Sequence, residues 1–106
     1  MIRSLLFLEP RGGDAGAVAD FYRRHRVLER AVEQDGCFGA QLQVPTSGTG
    51  ELLVTALWRD EDAYRGWLDD PARSAHAEEL AQLVGDFDSG ISGTTYEIVL
   101  EAGPAR

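Results

Sequence analysis

The order in which hydrophobic periodicities follow one another constrains this chain most. Residues 2–9 form a short run rich in Leu and Phe that ends at Pro10 before Arg11-Gly12-Gly13, the pattern of a buried strand entering a turn. Asp14 is placed to cap a helix over residues 14–34, along which Val18, Phe21, His25, Leu28 and Val32 recur at helical spacing, and Asp35-Gly36 closes it. Residues 37–44 alternate, with Phe38, Ala40, Leu42 and Val44 on one face. Beyond a polar turn at 45–50, residues 51–58 are apolar on both faces, so the two segments make a hairpin whose second strand is the more central. Asp60 caps a second helix with Ala63, Tyr64, Trp67 and Leu68 on one side. Asp69-Asp70-Pro71 interrupts that helix and restarts it with Pro at its first position, and Ala72, His76, Leu80 and Leu83 then share a stripe. Residues 85–92 read as a loop carrying Phe87, residues 94–101 as a last alternating strand, and residues 102–106 as a frayed tail.

The resulting order is β-α-β-β-α-β, a ferredoxin-like α+β fold in which an antiparallel sheet carries both helices on one face. At 106 residues the chain is one domain, residues 1–106, with a core large enough to fold without a staple. Two helices cover only one face of the sheet. Leu5 and Phe7 on the first strand, and Leu53 and Leu57 on the third, leave the second face apolar as well, and this predicts a homodimer.

Charge and cysteine content exclude several partners. Ten basic residues, all Arg, stand against eighteen acidic ones for a net charge of -8, a surface that repels phosphate backbones and anionic lipid. The cluster Arg23, Arg24, Arg26 and Arg30 is diluted by Glu29 and Glu33, so it reads as a solvated helix face and no nucleic-acid or membrane partner is expected. No run approaches the roughly 18 apolar residues of a membrane span. The lone Cys37 has no bridging partner and no basic sequence neighbour to lower its pKa, which fits a reducing, cytoplasmic setting and a packing role.

The segment Leu52-Leu53-Val54-Thr55-Ala56-Leu57-Trp58, followed by Arg59-Asp60-Glu61-Asp62-Ala63-Tyr64, Trp67-Leu68, an acidic-Pro break and Ala75-His76, resembles the antibiotic biosynthesis monooxygenase superfamily of dimeric α+β barrels. The resemblance covers nearly the whole chain. It implies a small oxygenase acting on an aromatic polyketide or phenolic substrate of anthrone or quinol type with O2, and it leaves a non-oxidative polyketide cyclase or a non-catalytic ligand-binding protein as alternatives. The heme-degrading branch of that superfamily carries an Asn on the first strand, a Trp in the second helix and a downstream His that ligates iron. Trp67 and His76 match the last two at a separation about one residue shorter than expected of that branch, and the sequence contains no Asn. The expectation is therefore a reaction without a cofactor, with reduced flavin as the alternative and heme disfavoured.

Both histidines fall on apolar helix stripes, where burial moves an imidazole toward working pH, so His76 and His25 are the candidate acid-base groups that remove a proton from a phenol or anthrone. Trp67, Tyr64, Tyr22, Trp58 and Phe21 are the candidate substrate-binding residues, because flat aromatic walls give a planar ligand both area and orientation. Arg65 and Arg73 on the second helix have the chemistry to stabilise an enolate or phenolate, as a guanidinium near a developing anion does, but read first as exposed partners of Asp62, Asp69 or Asp70. No metal site is expected, since the two His are far apart and the sequence has no paired Cys or ligand-rich loop.

Overall fold

The computed structural model describes residues 1–85 and 93–103. Its elements are β1 (Ile2–Pro10), a 3-10 turn (Arg11–Gly13), α1 (Ala15–Arg24), α2 (Val27–Val32), β2 (Cys37–Gln43), β3 (Leu52–Trp58), α3 (Glu61–Leu68), α4 (Pro71–Ser74), α5 (Ala77–Leu83), β4 (Val84–Gly85) and β5 (Thr94–Glu97). The sheet is antiparallel in the order β2-β3-β1, and both β4 and β5 pair with the remaining edge of β1. This is the expected α+β, ferredoxin-like arrangement, with the apolar-both-faces strand β3 next to β1 at the centre. Among the described residues no helix is long and apolar enough to cross a membrane.

Pairing fixes which side chains face the helices. Ile2 lies opposite Trp58, Ser4 opposite Ala56, Leu6 opposite Val54 and Leu8 opposite Leu52, and this face is the buried one. On the other face Phe7 is 56% exposed and Tyr96 is 60% exposed, with no helix over either among the described residues. The helix-side core divides into two clusters. One gathers Ile2, Ala31, Trp58, Ala63, Tyr64 and Trp67; the other gathers Leu8, Val18, Phe21, Tyr22, Leu52, Leu80 and Val84.

Carboxylate caps start the main helices. Asp14 accepts from the Ala17 N–H at 3.0 Å, Asp60 from Ala63 at 2.9 Å and Asp70 from Ala72 at 2.8 Å, each engaging a donor the first helical turn would otherwise leave unpaired. The Gln34 side-chain amide donates to the other Asp70 oxygen and ties the end of the first helical connection to the break in the second. Gly36, at φ 87°, closes the turn into β2, and a Cβ there would lie 2.8 Å from the Ala63 Cβ, so only glycine fits.

Four local expectations are corrected. The single helix over residues 14–34 is two helices, broken where Arg26 adopts left-handed backbone at φ 52° and ψ 42°. The restarted second helix is likewise split, with His76 as the N-cap of α5. The pairing shifts register between Cys37 and Gly39, so Phe38 leaves the face shared by Ala40 and Leu42 and is 56% exposed. The last strand stops at Glu97: the Ile98 N–H reaches the Met1 carbonyl at 3.0 Å, and Leu100 is 90% exposed. The expected loop with Phe87 falls mainly on residues 86–92, outside the described residues.

Candidate functional site

Between the two core clusters lies a cavity of about 90 Å³, walled by the sheet on one side and by the two helical connections on the other. Phe21, Tyr22, Trp58, Tyr64, Trp67 and His76 all line it. Six of the seven residues singled out from the sequence are thus brought together. His25, the seventh, is not among the lining residues; it stands beside His76.

The aromatic walls are fixed by packing and by hydrogen bonds. Trp58 is fully buried, and its indole N–H donates to Ser4 Oγ at 2.9 Å. The Tyr64 ring lies 5.6 Å from the Trp58 ring, and its hydroxyl accepts from the Gly93 N–H at 2.8 Å, leaving its own proton free to be donated. Burial pushes the Tyr22 phenol from its usual 10.0 up to about 12, against a smaller opposing pull from Arg73, so Tyr22 is a protonated hydrogen-bond donor throughout the neutral range. Burial raises Tyr64 in the same direction.

His76 sits at the exposed mouth. Neither of its ring nitrogens makes a hydrogen bond among the described residues, and its ring stacks on that of His25 with centroids 3.7 Å apart and planes 20° from parallel. The edge of Phe21 meets the His25 ring at 4.8 Å. Glu79, whose carboxyl is held below its usual range by hydrogen bonds from Arg24 and His25, accepts from His25 Nε2 at 2.9 Å and from Arg24 at 2.6 Å. The arrangement offers an imidazole nitrogen at the rim of a largely apolar, flat-walled chamber, suited to holding a metal-bearing or planar aromatic ligand.

Ser4 and Arg73 also line the cavity without having been among the site residues chosen from the sequence. Ser4 is a buried hydroxyl on β1, signalled only as the one polar member of the series Ile2, Ser4, Leu6, Leu8. Arg73, expected as an exposed partner of acidic residues, lines the cavity and acts electrostatically on both Tyr22 and Tyr64. Arg65 does pair on the surface as expected, with Asp62 at 3.4 Å. Cys37 packs against the first core cluster, and burial raises its thiol pKa, in line with a packing role.

Comparison with known proteins agrees with this architecture. The chain is 33% identical over 90 residues to a heme oxygenase (mycobilin-producing) of Mycobacterium tuberculosis, an alignment covering 84% of this chain and 83% of that protein. Its fold matches the heme-degrader MhuD of Mycobacterium tuberculosis, solved with two hemes bound in its active site, at TM-score 0.68 and 20% identity, over 97% of this chain and 100% of that one. It also matches SnoaB, a cofactor-independent oxygenase of Streptomyces nogalater, at TM-score 0.69 and 20% identity, over 94% of each chain. These findings correct the expectation of no cofactor, or reduced flavin, with heme disfavoured: the 33% identical relative is a heme oxygenase and MhuD holds heme, so heme stands as a cofactor or substrate to be considered. The missing Asn and the Trp67 to His76 spacing were too narrow a basis for setting it aside. The sequence profile described as antibiotic biosynthesis monooxygenase matches residues 1–85, and the chain belongs to that family.

Proposed function

We propose that this chain is an oxygenase whose substrate is heme, seated against the aromatic cavity with His76 as the protein's iron ligand. One observation carries the reading: an imidazole with both nitrogens unengaged among the described residues lies at the rim of the cavity lined by Trp67, in a chain 33% identical over 90 residues to a heme oxygenase. Neutral imidazole is a common iron ligand and the flat walls suit a planar macrocycle, so the residue types fit the group, while the cavity of about 90 Å³ is smaller than a macrocycle and its walls must part to admit one. Bound heme supplies the iron at which O2 chemistry takes place. The chain's own contributions are orientation by the Trp67 and Tyr64 faces, exclusion of water by the apolar lining, and hydrogen-bond donation by Tyr22. Titration of the purified protein with hemin, followed by absorbance, should give a saturable histidine-ligated spectrum that His76→Ala abolishes. An unchanged spectrum in His76→Ala sinks the assignment.

A second reading is favoured by the Tyr64 hydroxyl, which accepts from Gly93 and keeps a proton for a substrate oxygen. That donor suits a smaller oxygenated aromatic of anthrone or quinol type, oxidised with O2 after His76 removes a phenolic proton. Oxygen uptake with a panel of anthrones and naphthols separates the readings. Uptake that depends on Tyr64 and His76, in protein that ignores hemin, selects the smaller substrate, and conversion under nitrogen selects a cyclase.

We also propose that the functional unit is a homodimer joined through the uncovered face of the sheet. Phe7 and Tyr96 are exposed there, and Gln43 Oε1, on the same face by its pairing with Leu53, is buried without a hydrogen-bond partner among the described residues, an acceptor that a second copy could satisfy. Sedimentation should give a dimer, and Phe7→Asp a monomer; a monomeric parent protein refutes the proposal.

A further inference from the structure

We propose that His25 is a positioning residue for His76, held in place by Glu79 and Arg24, so that the ring facing the ligand is set by a relay of side chains from the first helical connection. The inference rests on the reading that His76 is the group acting at the ligand.

His76 cannot hold itself. As N-cap of α5 it makes no side-chain cap bond, its residue is exposed, and neither ring nitrogen is engaged among the described residues. An imidazole in that setting samples several rotamers, and fixing one of them costs entropy at the moment of ligand binding. What restrains it most closely is a face, the His25 ring, stacked at 3.7 Å and 20°, with the Phe21 ring edge-on to it at 6.5 Å. His25 is itself fixed on two further sides, by the edge of Phe21 at 4.8 Å and by Glu79 at 2.9 Å. An ionised carboxylate only accepts, so His25 Nε2 is the donor in that bond and its ring plane is tied to Glu79. Glu79 lies on the element that begins at His76, and its second oxygen is clamped by Arg24 at 2.6 Å, next to His25 in sequence. The relay therefore starts and ends on two elements 54 residues apart and closes on itself, which sets His76 relative to α1 and leaves the nitrogen-bearing edge of its ring for the ligand.

A partner that orients an iron-binding histidine changes affinity and ligand spectrum, whereas a mere staple between helices changes stability alone. The test uses His25→Ala, His25→Phe and Glu79→Ala, with His76→Ala as reference. Hemin is titrated by absorbance, and the ring Cε1–H resonance of His76 is followed by NMR in the protein without hemin. Removal of the stacked ring in His25→Ala should weaken hemin binding by roughly tenfold and mix the ligand spectrum. His25→Phe restores a flat face and should recover most of both, and Glu79→Ala should produce a smaller loss of the same kind. Native affinity and spectrum in His25→Ala overturn the proposal; should that variant not fold, native values in both His25→Phe and Glu79→Ala, with an unmoved His76 resonance, overturn it. A parent protein whose hemin spectrum ignores His76→Ala refutes the assignment of His76 as ligand instead. The His76 resonance then decides the positioning role separately: movement in His25→Ala with return in His25→Phe upholds it, and no movement rejects it.

Discussion

The two helical connections that cross the sheet, α1–α2 and α3–α5, differ in how they are interrupted. Both begin on a carboxylate cap, Asp14 in one and Asp60 in the other. The break at Asp70-Pro71 in the second is capped in turn, with Asp70 accepting from Ala72. The breaks at Arg26 and at His76 have no side-chain cap at all. The uncapped breaks are the ones that meet at the mouth of the cavity, where His25 ends α1 and His76 opens α5 with their rings stacked. Capped breaks serve the backbone; uncapped ones leave side chains free to reach across to each other and to a ligand.

If the two connections are equivalent covers of the sheet, deleting the main aromatic of each should cost alike. Phe21 is 3% exposed and Trp67 is 8% exposed, one in each core cluster. Phe21→Ala and Trp67→Ala should each destabilise by about 3 kcal/mol, the low end for a buried aromatic because both already border a cavity. Urea unfolding monitored by circular dichroism measures this. A loss below about 1 kcal/mol in one variant alone would break the equivalence and mark that connection as a cover over the ligand instead of part of the core.

Alkaline pH should also separate the two connections, through their tyrosines. Tyr22 on α1 is pushed up to about 12 by burial, while Tyr64 on α3 is raised with Gly93 and Arg73 opposing. A raised folded pKa means the neutral phenol is the form the fold prefers. Its contribution is complete below pH 10 and is lost as pH rises from 10 toward 12, by about 2–3 kcal/mol for Tyr22. Denaturation midpoints between pH 9 and 12 should therefore fall more steeply in the parent protein than in Tyr22→Phe. Parallel curves for the two proteins would show that Tyr22 ionises without resistance from the fold.

The same contrast explains what could be read from the residues. Strands β1 and β3, the hairpin, the Asp60 cap and the Pro71 restart were legible because each has a local chemical signal: a short apolar run closed by turn residues, a capping carboxylate or a missing N–H. Phe38 was misplaced because a one-residue bulge reverses facing without changing the hydrophobic pattern. Ile98 to Leu100 kept the alternation of a strand but lie beyond the paired residues. In the site, apolar helix periodicity picked out Phe21, Tyr64, Trp67 and His76, and Tyr22 beside the first stripe was a candidate as an aromatic; all five line the cavity, His76 at its exposed rim. It could not separate His25 from them, because a helix stripe does not reveal that the helix ends there. Ser4 was passed over because a strand serine is common in ordinary packing, and Arg73, weighed as an anion-stabilising group, was ranked as a surface ion-pairing residue; only the tertiary fold brings both to the cavity.

The smallest effect concerns the first uncapped break itself. Arg26 holds φ 52° and ψ 42°, backbone that L side chains resist and glycine adopts freely. Its ion pair with Glu29, 3.9 Å apart and exposed on both sides, contributes little against that strain. Arg26→Gly should therefore raise stability by roughly 0.5–1 kcal/mol, after the greater freedom of glycine in the unfolded chain is subtracted. Arg23→Gly, inside α1 with ordinary helical backbone, should instead lower it by about 1 kcal/mol. The break at His76, at φ -122° and ψ 31°, has no left-handed residue and offers no comparable gain. Thermal unfolding of the two variants tests the point directly. A loss in Arg26→Gly equal to that in Arg23→Gly would mean that residues 14–34 form one continuous helix in solution. The stacked pair at the cavity mouth would then lose the turn that brings His25 to it.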